Sequence, residues 1–473
     1  MGIFKGIKKI IILLLIAFLS VITVAIIAKA IKDNFNENGG ASEIIEIWSA
    51  DELYKMKSDG EYILMNDIDL ESNIWTPISI KSFNGNGYTI RNCSIIDTPK
   101  MINYYRNEPH DYTYVGFFQR VDTLENLTLE NIDVTCFSRN VPVSCAAIAA
   151  GYSGNLVNIC VKNSSISIIY STSDETSKPI VSGICSWVSN AKNCKIENSS
   201  ISITKSGLSN VMVGGAFGSI EGIVTNCLSD AVNINTSGNV TILSCGGIAG
   251  INSGKLKNSL VRNCSINALC HSNSFIGGLV GTVDSDFCEV ISCESKNNTI
   301  LLSTEKNDPT IMAGCFAGKA HSAISNCISS NNCVKFNDST NGNGNIYLGG
   351  FIGSINEDGS VVSSMSMFNK VFNIDTEKAF TAGFAGKSNG AIVNSAVRES
   401  NISGGEIDHF AFSTAIIENC YVSNDTLNNR NSLPILNDED WTSFDILKSK
   451  LRLSLQYWTF DSDLKLINTA KNI

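Results

Sequence analysis

The stretch Gly214-Gly215-Ala216-Phe217-Gly218-Ser219-Ile220 decides how this chain folds, because it returns. Gly246-Gly247-Ile248-Ala249-Gly250, Gly277-Gly278-Leu279-Val280-Gly281 and Gly349-Gly350-Phe351-Ile352-Gly353 are close copies. Val115-Gly116-Phe117-Phe118, Ser182-Gly183-Ile184-Cys185, Ala313-Gly314-Cys315-Phe316 and Ala382-Gly383-Phe384-Ala385-Gly386 are weaker ones, and Ala146-Ala147-Ile148-Ala149-Ala150 is degenerate. With the second small residue at 116, 147, 183, 215, 247, 278, 314, 350 and 383, the period is 31 to 36 residues. Periods of this size belong to stacked arrays whose neighbouring units share one core.

Each repeat carries strand-like alternation. Phe117, Ile148, Ile184, Ala216, Ile248, Leu279 and Phe351 fill one slot, and Val121, Val188, Ile220, Val283 and Ile355 lie four residues further on. Those positions share a face at the two-residue period of a strand. A later piece alternates as Ile166/Ile168, Ile201/Ile203, Ile300/Leu302 and Val334/Phe336. Between them recurs Asn-Cys or Asn-Ser, as in Asn193-Cys194, Asn226-Cys227, Asn326-Cys327 and Asn394-Ser395. Three strand pieces in register per repeat describe a three-faced coil. A propeller needs four strands per repeat and a longer period, and ranks second.

The ends read differently. Lys5, Lys8 and Lys9 precede an uncharged apolar run over 10–28, nineteen residues that would span roughly 28 Å as a helix. This predicts a membrane anchor, with the basic amino end in the cytoplasm and the repeats outside. Ala28-Lys29-Ala30 also fits a signal cleavage site, which would make the chain secreted. The expected division is 1–32 as cytoplasmic tip and transmembrane anchor or signal, 33–42 as linker, 43–92 as amino-terminal cap and first coil, 93–425 as repeats, and 426–473 as carboxy-terminal cap. Ser49 with Glu52 forms a capping box for a short helix running to about Lys57. Asn437 is a candidate N-cap for an amphipathic helix over 438–455.

The order Trp48-Ser49-Ala50-Asp51-Glu52-Leu53, Asn66-Asp67-Ile68-Asp69-Leu70, Trp75-Thr76-Pro77-Ile78, Gly85-Asn86-Gly87-Tyr88-Thr89-Ile90 resembles the amino-terminal module of bacterial surface proteins with GLUG-motif repeats. The glycine repeats look like that family's namesake motif, and the resemblance covers 44–420. It implies an all-β, right-handed parallel β-helix and an adhesin-like role, and it supplies no catalytic residues to carry over.

Composition narrows the function classes. Net charge is −10, and without the five lysines up to Lys32 the remainder stands near −15. An acidic surface with no basic, aromatic-studded stripe excludes nucleic acid as a partner. The sixteen cysteines contain no Cys-x-x-Cys pair, and the four histidines are scattered, so neither a metal nor a cofactor is expected. Stacking of coils points neighbouring cysteines the same way, so most are expected to remain free. Which way they point depends on the preceding asparagine: a bend there resets strand parity, whereas a straight strand sets Cys227 and Cys327 opposite Leu228 and Ile328. Gly386-Lys387-Ser388-Asn389-Gly390 matches a nucleophile-elbow pattern, but a strand follows it rather than a helix. Asp67 and Asp69 are candidates for Ca²⁺ or for acid–base work, against a structural role in the amino-terminal module.

The function that the resemblance implies, with these residues beside it, is a non-enzymatic, cell-surface adhesin-like interaction or display protein; the alternative is a secreted carbohydrate-active β-helix enzyme, a polysaccharide lyase or hydrolase, and a third is a purely structural spacer. A surface glycan or a protein is the expected ligand. Loops of varying length recur between the third strand and the next glycine strand, at 137–143, 170–179, 204–210, 301–309, 337–345 and 373–378. One slot of a coil becomes one edge of a solenoid, and variable loops on one edge build binding surfaces. The longest insertion, 97–114, shares that slot. It offers Tyr104, Tyr105, Arg106, His110, Asp111 and Tyr112 as binding residues.

Overall fold

The structure is a computed structural model. It describes residues 44–97, 113–172, 178–207, 210–285, 287–306, 308–338, 344–374, 379–413, 416–423, 432–454, 456–460 and 466–468. The chain divides into two compact units, Met1–Ile45 and Glu46–Ile473, and the coils belong to the second.

The strands of the coils pair in parallel, coil upon coil, in three sheets, and one antiparallel pair, Trp458–Phe460 with Leu466–Asn468, stands outside them. One repeat shows the path. Face 1 is the strand Asn210–Gly214, face 2 is Phe217–Thr225, and face 3 is the pair Leu228–Asp230 and Asn233–Gly238. Each strand pairs with its counterpart one repeat on: Val213 with Cys245, Val224 with Leu256, Ile234 with Ile266. The right-handed parallel β-helix expected from the sequence is what the chain forms, and a continuous apolar core runs from Ile47 to Val422.

Two columns of left-handed residues make the corners. The first is Asn126, Asn158, Asn193, Asn226, Asn258, Asn326, Asn394 and Asn419, with Ser292 and Ser363 in the same slot. The second follows five residues later at Asn131, Asn163, Asn198, Ala231, Asn263, Asn297, Asn331, Phe368 and Glu399. Asparagine tolerates positive φ better than other side chains with a Cβ. Outside the first corner its amides form a ladder: Asn158 Nδ2 donates to Asn126 Oδ1 at 2.8 Å, and Asn193 Nδ2 to Asn158 Oδ1 at 3.0 Å.

The bend resets parity, so the cysteine after each corner asparagine points inward. Cys194, Cys227 and Cys327 are fully buried. The slot's chemistry has a cause: the amide of this residue needs an acceptor inside the core. The next coil's side chain supplies it, Ser259 Oγ for Cys227 N at 3.2 Å and Ser364 Oγ for Cys327 N at 3.2 Å. All sixteen cysteines are free. Burial pushes up the thiols of Cys270 and Cys420, both to about 12.

The glycine pair is needed for close approach. A Cβ at Gly215 would run into the Gly247 carbonyl of the next coil. One copy sits a residue out of the expected phase: Gly314 pairs with Gly277 and Gly349, which puts Cys315, not Gly314, in the second glycine slot. The residue after the pair builds an axial stack. Phe316, Phe351, Phe384 and Phe410 lie ring on ring at 4.6, 4.8 and 5.1 Å. Trp75 of the amino-terminal module closes the other end on Phe117, at 4.4 Å and 2°, with its Nε1 donating to Phe117 O at 2.7 Å.

The helix α1, Ala50–Leu53, is shorter than the sequence implied, and the expected capping box forms only in half: Ser49 Oγ accepts from Glu52 N, but Glu52 Oε2 accepts from Trp48 N, one residue before the N-cap. The single carboxy-terminal helix expected over 438–455 is two, α2 at Asp438–Thr442 and α3 at Phe444–Leu451, because Ser443 leaves the helix to cap α3. Trp441, Leu447, Leu451 and Trp458 cover Ile328, Met365, Met367 and Ala396 on the outer side of face 3.

The expected membrane span is corrected. Among the described residues no helix is long and apolar enough to cross a membrane, and the run 10–28 lies outside those residues. Apolar length is one requirement of a span, and a helix over that length is the other. The transmembrane helix, the single-pass topology with a cytoplasmic amino end, and the membrane as a partner are withdrawn with it.

Candidate functional site

Faces 1 and 2 meet at a concave corner, and the corner is built by the last glycine of each motif. A Cβ at Gly386 would stand 2.6 Å from Leu348 N and 2.7 Å from Tyr347 C; one at Gly281 would stand 2.5 Å from Cys245 N. With nothing larger than hydrogen there, the face 2 strand lies against the face 1 backbone of the preceding coil. The outward side chains of the two strands then converge on a groove along the stacking axis.

Strand pairing puts its walls in register. On face 1 the column runs Met212, Ser244, Phe275, Met312, Tyr347, Phe380. On face 2 it runs Ile251, Thr282, Lys319, Ser354, Lys387. The face 2 residues lean one coil back: the Lys319 ammonium lies 5.0 Å from the Phe275 ring centroid, Lys387 5.2 Å from that of Tyr347, and the Thr282 and Ser244 hydroxyls are 2.7 Å apart. Tyr347 stacks on Phe380 at 5.4 Å. A pocket of about 240 Å³ opens in this groove, lined by Met212, Ser244, Phe275, Thr282, Asp284, Lys319 and His321 among others.

Several surface cations pair across coils with carboxylates: Arg262 with Asp230 at 2.7 Å, Lys162 with Glu130 at 3.2 Å, Lys255 with Glu289 at 3.3 Å. The two groove lysines do not, and they share the placement over a ring with Lys205, whose ammonium lies 5.9 Å from the Tyr170 ring centroid. Lys319 and Lys387 are half-buried and have no carboxylate at ion-pair distance among the described residues. Burial pushes the Lys319 ammonium below its ordinary pKa. At the rim His321 Nε2 stands 4.0 Å from Asp284 Oδ1, and Asn356 Nδ2 is 2.9 Å from His321 Nδ1.

The residues singled out from sequence fare unequally. Tyr104, Tyr105, Arg106, His110, Asp111 and Tyr112 lie outside the described residues. Asp67 and Asp69 are occupied structurally: Asp67 Oδ1 accepts from Thr89 N at 2.8 Å, and Asp69 accepts from Asn92 Nδ2, Glu71 N and Arg91 Nε. Those bonds, the Asn92 one foremost, hold the Asp69 carboxyl down at about 2. Ser388 is buried on a strand, and its hydroxyl donates to Gly390 O at 2.9 Å. Sequence reasoning does not single out the groove lysines. Lys387 lies inside the stretch that mimics a nucleophile elbow, and the one available signal is its two-coil offset from Lys319.

A second depression, about 450 Å³ and more open, lies on face 3 among Asn235, Asn267, Leu301 and Lys335. It has one cation and no side chain held by a ring, so the groove is the better-defined site. Among the described residues no group of three or more metal-binding side chains occurs.

Comparisons with known proteins add little. No family model matches the chain, and no curated protein matches it. Among solved structures, a crystal structure from Bacteroides ovatus, described as a candidate immunoglobulin A1 protease, aligns over 92% of this chain and 95% of that one, at 14% identity and a TM-score of 0.34. That likeness is too distant to bear on function, and the fold rests on the strand pairing itself.

Proposed function

We propose that this chain is a non-enzymatic, adhesin-like interaction protein that receives an extended ligand along the groove between faces 1 and 2, as the resemblance to GLUG-repeat surface proteins implies. The observation that carries the reading is the in-register pair of columns. They repeat a binding surface at about 4.8 Å per coil, which suits a polymer rather than a small metabolite. The two carboxylates and the serine that offered chemistry in the sequence are engaged in holding the coil. One observation favours the alternative, a carbohydrate-active enzyme: Asp284, His321 and Lys319 bring an acid, an imidazole and an amine to the same rim.

The test is a glycan and matrix-protein binding array on the full chain, with parallel turnover assays on pectin, alginate and chitin, with and without Ca²⁺. Retention of a ligand without release of reducing or unsaturated ends is expected. Turnover that disappears in Asp284→Ala and His321→Ala would replace this reading by the enzymatic one.

A further inference from the structure

We infer that the occupant of the groove is a linear acidic polysaccharide, laid along the stacking axis with its anionic groups on Lys319 and Lys387. The inference rests on the interaction reading and names the ligand class for the same site.

Three observations carry it. The first is charge complementarity. The chain carries −10 overall, yet its groove presents two half-buried ammonium groups with no carboxylate at ion-pair distance among the described residues. Each is held over a ring rather than extended into water. Asp284 shares the pocket with Lys319 but stands beyond ion-pair distance; an amine partly stripped of water and without a carboxylate in direct contact still gains from an anion that enters the same low-dielectric space.

The second is spacing. Lys319 pairs with Ser354, and Ser354 with Lys387, so the two amines stand two coils apart, on the order of 10 Å. That is comparable to two extended pyranose units, the repeat at which an alternating acidic polysaccharide presents its charges.

The third is the manner of contact the walls allow. The backbone of both strands is consumed by pairing with the coils on either side. A peptide therefore finds no strand edge to extend. What remains are side chains: the Asn356 amide beside His321, and the partly exposed surfaces of Phe275 and Met312 over the buried, mutually bonded Ser244 and Thr282 hydroxyls. Amide and imidazole groups beside apolar surface match a ligand of hydroxyls and C–H faces.

The experiment titrates the full chain with oligogalacturonate, its neutral methyl ester, a sulfated dextran and poly-glutamate, using calorimetry at two salt concentrations. Oligogalacturonate or the sulfated chain should bind, and binding should weaken as salt rises. The methyl ester should bind at least tenfold more weakly than oligogalacturonate, and Lys319→Gln and Lys387→Gln should each lose about tenfold, with unchanged melting as the control for folding. The relative affinity of carboxylate and sulfate arms tells which anion the groove prefers. Equal binding of acid and ester, or of both lysine variants and the parent, overturns the inference while leaving the interaction reading intact. Poly-glutamate binding in place of both acidic glycans overturns it in favour of an acidic peptide. Failure of every probe here overturns the inference, and failure of the array as well removes the interaction reading with it.

Discussion

Asn332 shows what a single side chain does inside this coil. Its Oδ1 accepts from Asn298 N at 2.8 Å, and its Nδ2 donates to Ser295 O at 2.9 Å and Ser329 Oγ at 3.1 Å. Asn298 does the same for Cys264 N, and Asn369 for Asn332 N. The slot follows the second left-handed corner, where the backbone amide turns away from its sheet and into the core. In earlier coils the acceptor is a hydroxyl: Ser164 Oγ for Ile132 N and Ser199 Oγ for Ser164 N, both at 3.1 Å. Replacing Asn332 by Ala leaves the Asn298 amide buried without its acceptor, and local opening should become easier by about 2–4 kcal/mol. Asn332→Ser should cost about 1 kcal/mol, since a hydroxyl still accepts. Hydrogen exchange at residues 295–298 and 329–332 separates the two; equal losses would mean that acceptance is not what the side chain supplies. The sequence displays these residues but not their direction. Asn-Cys and Asn-Ser are visible as a recurring pair, yet whether Cys227 faces in or out turns on the φ of Asn226, 56°, which no residue pattern specifies.

At the scale of elements, glycine spacing is legible because close approach favours glycine in most coils, and so are the Ile and Val pairs of face 3. Face 1 is not legible. Its strands Asn273–Gly277 and Thr310–Gly314 alternate just before the glycines, where loops of differing length end. The groove depends on that face, so the site is hidden with it. The carboxy-terminal helices read as a cap, but what they cover does not, because Ile328, Met365 and Ala396 come from three successive coils. Trp458 is buried on them and donates to Asn326 Oδ1 at 3.3 Å, while the Arg398 guanidinium lies between Phe368 and Trp441 at 5.1 and 5.3 Å. Trp458→Ala should weaken this docking by about 3–5 kcal/mol. Limited proteolysis should then cut within 432–460 while the coils persist, and an apolar dye should bind the uncovered patch. A segment that stays protected would show that α2 and α3 hold without the tryptophan.

For the whole molecule, the stack is a sum of neighbour contacts. Each coil touches the one before and the one after through parallel pairing, and contacts between coils that skip one are few. Such an array behaves as a one-dimensional chain of coupled units, in which a local loss is felt by neighbours and fades with distance. The phenylalanine stack makes this measurable. Phe384 lies between Phe351 and Phe410 near the carboxy-terminal end, all three fully buried. Phe384→Ala should cost about 3–5 kcal/mol through the lost packing and the cavity left behind. In a single cooperative globule that loss would lower protection everywhere. Here exchange should accelerate in the strands Ile352–Ile355, Ala385–Ser388 and Ala411–Ser413, while Ala149–Val157 and Phe217–Thr225 keep the protection they have in the parent. Cys315, which occupies a glycine slot two coils away, gives an independent reading. Burial pushes its thiol well above the ordinary range, so alkylation there requires opening, and its rate should rise less than exchange at Ala385–Ser388. Uniform loss of protection from one end to the other would show that the coils unfold as one unit.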